Sequence, residues 1–94
     1  MNLDELKTYR EPIYSIAQSC GIENIRVFGS VVRGEAREDS DIDLLVSVQP
    51  NVGLDFFRFG LELEDLLKHR VDVVSDKYIN PHLKPFIMRD AVPL

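Results

Sequence analysis

Residues 28–46 read FGSVVRGEAREDSDIDLLV, and the alternation in the second half of this stretch decides what the chain can build. Continued to Val48, DIDLLVSV has the aliphatic and β-branched content of a strand, stopped by the turn residues of QPNVG. Side chains alternate along a strand, so Ile42, Leu44 and Val46 project to one face and Asp41 and Asp43 to the other. Like charges this close raise one another's pKa and repel unless a cation or a set of donors stands between them. A hard divalent ion is the natural partner. Upstream, Gly29 and Ser30 close the short strand NIRVF, and the polar run RGEAREDS forms a loop before the aspartates.

Working outward, Asn2 followed by Glu5 predicts a capped helix start, and EPIYSIAQSCG predicts a second helical piece with Pro12 in its first turn and Gly21 at its end. Ile13, Ile16, Ala17 and Cys20 give that piece a core face. Downstream, Leu54, Phe57, Leu61, Leu66 and Leu67 keep a helical period, with Asp55, Glu62, Glu64 and Asp65 on the exposed side. Phe56, Phe57 and Phe59 surround this helix on more than one side, so one of them is free to form a partner-binding patch. RVDVVS predicts a third strand, and Asn80 before Pro81 caps a last helix carrying Leu83, Phe86, Ile87 and Met88, kinked or shortened by Pro85. These elements predict one α+β domain over 1–94, an α/β sandwich in which a small mixed β-sheet has helices packed on one face.

The composition narrows the function. The chain has 94 residues, 45% hydrophobic and 29% charged, as in ordinary globular domains. A formal net charge of -5 argues against direct nucleic-acid binding, which needs a surplus of Lys and Arg against phosphate. No apolar run approaches the roughly 20 residues that span a bilayer, and the polar start MNLDELKTYREP is unlike a signal peptide, so a cytoplasmic location is expected. Cys20, the only cysteine, excludes an internal disulfide and reads as a buried, inert thiol. His69 and His82 lack the spaced partners of a zinc site, and Tyr9, Tyr14 and Tyr78 read as packing or boundary residues.

Asp72 repeats the anomaly of an aspartate inside an apolar strand, so a neighbouring strand would bring a third carboxylate to Asp41 and Asp43. An EF-hand is excluded: counted from Asp39, Leu44 occupies the glycine position and Pro50 the closing glutamate position. GSVVRGEA spaces its glycines as a Walker A loop does, but Glu35 and Ala36 stand where Lys and Ser or Thr are required. No G-x-G-x-x-G is present. Gly29 and Ser30 form either a plain turn or a phosphate cradle of outward N–H groups and a hydroxyl, and Arg33 stands either near phosphates or in a surface ion pair.

Together, Gly29–Ser30, the spaced Asp41 and Asp43, and VDVV at 71–74 resemble the nucleotidyltransferase superfamily typified by DNA polymerase beta, most closely its minimal nucleotidyltransferase branch, the MntA-like antitoxins. Val32 stands where many relatives carry Ala, a packing variation. The resemblance implies the nucleotidyltransferase fold and a site in which Gly29, Ser30 and Arg33 bind the nucleotide while Asp41, Asp43 and Asp72 bind two Mg²⁺ ions and carry the catalysis. The implied reaction moves AMP from ATP to a hydroxyl, with a tyrosine of a HEPN-domain toxin as the acceptor. Two alternatives stay open: a non-catalytic antitoxin that neutralises its partner by occlusion, and a catalytic subunit acting on a small molecule.

Overall fold

The Asn2 side chain accepts a hydrogen bond from the Glu5 N–H at 2.8 Å, and this cap starts α1 (Leu3–Lys7). The computed structural model describes all residues, 1–94. The next helix, α2 (Arg10–Cys20), buries Ile13, Ala17 and Cys20 and ends on Gly21, whose left-handed φ of 72° is the ordinary exit for glycine. β1 (Ile22–Phe28) starts two residues earlier than the NIRVF reading, because an irregularity between Glu23 and Arg26, with Asn24 at φ 54°, lets pairing resume on its far side. The short α3 (Ser30–Arg33) follows Gly29, and Val31 is buried with Val32 packed against the core.

β2 (Ile42–Val48) is one of the two inner strands. It runs antiparallel to β1 and parallel to β3 (Val71–Ser75), reached through α4 (Asp55–Leu67). α5 (Lys84–Asp90) leads into β4 (Val92–Pro93), which pairs antiparallel with β1 and completes the order β3-β2-β1-β4. This fourth strand was not expected from the sequence: two residues carry no periodicity. Tertiary bonds hold it, from Leu94 N–H to Ile25 O at 3.0 Å and from Arg10 Nε to Leu94 O at 2.7 Å.

Ile42, Leu44 and Val46 lie in register with Val71, Val73 and Ser75 and face the core formed with α2 and α4. The stripe that α4 buries differs from the expected one. Phe59, Leu63 and Leu67 are buried, with Phe56 and Leu66 beside them, whereas Phe57 and Leu61 are 65% and 66% exposed. Leu54, Phe57 and Leu61 do share a helical row, but its next steps are Glu64 and Asp65, so the row runs into charge while the Phe59 row stays apolar to the helix end. α5 also departs from expectation. Pro85 sits in its first turn without a kink, and Leu83, Phe86 and Met88 remain exposed, leaving Ile87 half-buried.

Candidate active site

The sheet face opposite the core carries the polar residues, and its geometry begins at one glycine. Gly29 ends β1 with φ 79° and ψ -152°, a conformation disfavoured for residues with a side chain. A Cβ there would collide with Asp43 Oδ2 and lie 3.2 Å from Asp43 Cγ, so the absent side chain is what lets the turn close over this carboxylate. Phe28 is the register partner of Asp43 on β1, and Asp72 is its partner on β3. Asp43 and Asp72 are thus neighbours across a parallel pair. Asp41 lies just before β2, exposed at the strand mouth, with Arg70 Nε 3.9 Å from its Oδ1.

The three carboxylates are unspent. Neither the Asp43 nor the Asp72 side chain makes a hydrogen bond within the chain, and the Asp41 carboxylate has only the long contact to Arg70. Asp76 on β3's side of the sheet is the contrast: it accepts from Ser47 Oγ at 2.6 Å and meets Arg26 Nη2 at 3.4 Å. Asp43 is pushed up to about 6, first by burial and then by the charges of Asp72 and Asp41, while Arg33 opposes the rise. A cation among these groups would remove the cause of the repulsion.

The donor set fits a hard divalent ion in kind, being all carboxylate oxygen. The side chains are not drawn into a ready cage of three, so such an ion would need further oxygens from a phosphate or water. Beside the carboxylates, the Ser30 hydroxyl stands free at the start of α3, next to Gly29. Arg33, on the same helix, donates from Nη1 to Asp90 at 2.6 Å and from Nε to Glu35 at 3.1 Å. Of the two readings of Arg33, the structure shows the ion pairs, and the same charge opposes the rise at Asp43. Asp90 was missed by sequence reasoning, because nothing in its surroundings marks a partner 57 positions away. His69 uses Nδ1 to donate to Leu67 O at 2.8 Å, and the His82 N–H goes to Asn80 Oδ1 at 2.9 Å, so neither joins the site.

The chain is similar to several known proteins. The sequence profile of the nucleotidyltransferase domain matches residues 6–94. A candidate protein adenylyltransferase of Methanocaldococcus jannaschii is 39% identical over 93 residues, 98% of this chain and 97% of the relative. The protein adenylyltransferase MntA of Thermococcus cleftensis is 42% identical over 74 residues, 77% of this chain and 74% of MntA. Among solved structures, a candidate minimal nucleotidyltransferase superposes with TM-score 0.86 at 47% identity, covering 100% of this chain and 97% of its own. The MNT antitoxin complex with the tri-AMPylated HEPN toxin of Shewanella oneidensis contains the same fold, at TM-score 0.69 and 17% identity, over 93% of this chain and 69% of that one.

Proposed function

This chain belongs to the nucleotidyltransferase-domain family, and from that premise we propose that it transfers AMP from ATP to a tyrosine hydroxyl of a HEPN-type toxin, acting as the antitoxin of the pair in the cytoplasm. The observation that carries the reading is the Gly29 turn closed over Asp43, with Asp72 in register beside it: a glycine turn set directly against unspent carboxylates. The names of the relatives support protein as the acceptor class, and the toxin complex that shares the fold supports the partner. No helix is long and apolar enough to cross a membrane.

In this reading Gly29 and Ser30 hold the triphosphate through backbone N–H groups and the hydroxyl, and Arg33 adds positive charge at its edge. Asp41, Asp43 and Asp72 would hold two Mg²⁺ ions, which when bound neutralise the triphosphate and the leaving group. Asp72, exposed at the rim, takes the acceptor proton. The acceptor oxygen forms its bond to the α-phosphorus as the bond to the bridging β-oxygen breaks, and pyrophosphate leaves with the electron pair. Gly29 keeps the nucleotide close by leaving no methyl group between the turn and Asp43.

The test is transfer of label from α-phosphate-labelled ATP with Mg²⁺ to proteins of a lysate of the source cells. Label on a discrete protein, absent with γ-labelled ATP and lost in Asp41→Asn/Asp43→Asn, is the expected result. Nucleotide binding without transfer to any protein would instead favour occlusion or a small-molecule acceptor, and failure to bind nucleotide would remove the enzymatic reading altogether.

A further inference from the structure

β3 is an outer strand, and its free edge has an order of its own. Ile42 N–H donates to Arg70 O, and Asp76 N–H donates to Val46 O. In a parallel ladder this places the backbone groups of Asp72 and Val74 toward β2 and those of Val71, Val73 and Ser75 outward. The Glu64 carboxylate accepts the Val71 N–H at 3.0 Å, and the Ser75 C=O accepts from Tyr78 N–H at 3.1 Å. The Val71 C=O, both groups of Val73 and the Ser75 N–H are left facing outward.

Two grooves run beside this edge and make up the channel along it. One, of about 350 Å³, passes Leu61, Glu64 and Asp72; the other, of about 560 Å³, passes Val52 and Tyr78; they adjoin at Phe57 and Val73, which wall both. The channel's apolar wall is the exposed row of α4, Phe57 and Leu61, which the core does not use. Val73 leans on α4 where Gly60 has no side chain, its Cγ2 3.6 Å from where a Cβ would stand. Strand geometry then sorts the two sides of the edge. Any residue added opposite Asp72 projects its side chain to the carboxylate face, with its Cβ about 5 Å from that of Asp72. The residues on either side of it project into the apolar channel with Val71 and Val73.

We infer that the free edge of β3 receives an extended segment of the protein acceptor as an added strand, with the hydroxyl residue opposite Asp72 and an apolar residue on each side of it lying in the α4 channel. This rests on the proposed transfer to protein and supplies what that reading lacks, a means of presenting the acceptor. The outward backbone groups select an extended chain, and Phe57 and Leu61 select apolar neighbours. The net charge of -5, with Glu64 and Asp72 on the channel itself, selects basic residues beyond them. A second copy of this chain is a poor occupant, because it brings the same negative charge to an edge that already carries Asp72.

The test uses the full chain with Mg²⁺ and two peptides of one composition, acetyl-Lys-Val-Tyr-Val-Lys-amide and acetyl-Val-Lys-Tyr-Lys-Val-amide, at millimolar concentration. Amide hydrogen exchange is read residue by residue with AMP-PNP present, and α-label transfer to the peptide is read separately with ATP. The first peptide is expected to slow exchange at Val73 and Ser75 about tenfold, to leave the already bonded Val71 unchanged, and to be labelled about tenfold faster than the second. Phe57→Asp and Leu61→Asp, both on exposed positions, should abolish that preference while AMP-PNP binding stays unchanged. Protection of Val73 and Ser75 without transfer would uphold the edge and count against the transfer chemistry. Equal labelling of both peptides without protection would overturn the edge and leave the chemistry standing, and the absence of both effects would also overturn it. Protection that rises with protein concentration before peptide is added would assign the edge to a second copy and overturn the inference.

Discussion

Asp43→Asn should make the isolated protein more stable while destroying its site, and the size of the gain follows from the electrostatics. Asp43 is pushed from 3.8 up to about 6, chiefly by burial and then by Asp72 and Asp41. At about 1.4 kcal/mol per pKa unit this corresponds to about 3 kcal/mol of native-state destabilisation when the group is ionised. The carboxylate is only half-buried, and solvent screening reduces the figure to about 1–2 kcal/mol. The sign is that of a raised acid: the penalty is complete well above pH 6, shrinks as pH falls through 6, and is gone only below the unfolded value of 3.8, where native and unfolded chains are both protonated. Asn has the shape and none of the charge. Thermal unfolding in EDTA at pH 7.5 should therefore show the variant melting roughly 5–10 °C higher, with the gap falling to about a third by pH 4.5. Adding Mg²⁺ and AMP-PNP should raise the wild-type midpoint and leave the variant's unmoved. A variant that melts at or below wild type at pH 7.5, or a gap as wide at pH 4.5 as at pH 7.5, would refute the view that Asp43 is held at an electrostatic cost.

Gly29→Ala should lower Mg²⁺–AMP-PNP affinity at least tenfold by calorimetry and cost about 1–3 kcal/mol in chemical unfolding, because the added methyl collides with Asp43 at a left-handed φ. Phe59→Ala should cost about 3–5 kcal/mol, whereas Phe57→Ala on the same helix should stay within about 0.5 kcal/mol; urea unfolding of both checks which row of α4 holds the core.

What the sequence disclosed and what it hid divide along physical lines. Asp43 and Asp72 were legible because a strand has a period of two, and a charge on one face of an apolar strand violates the pattern visibly. Gly29 was legible only in combination; its contact with Asp43, which gives it meaning, depends on the pairing of β1 with β2. The buried face of α4 was misread because two apolar rows run along that helix, and periodicity alone cannot say which one meets the sheet. β4 and the Arg33–Asp90 pair were hidden for a different reason: both are contacts between distant segments, held by bonds with no local signature.

The two borders of the sheet are built differently. At one, β4 is two residues long, contains Pro93, which has no N–H to offer, and is clasped by Arg10 through Leu94. At the other, Val73 keeps both backbone groups facing outward. A molecule with two open borders can stack end to end without limit; one with a single open border has a valence of one, so two copies that met through it would present only closed borders outward. The short proline-bearing strand therefore limits association of copies through β3 to a pair, and the chain can leave an adhesive edge exposed without seeding a fibre of itself.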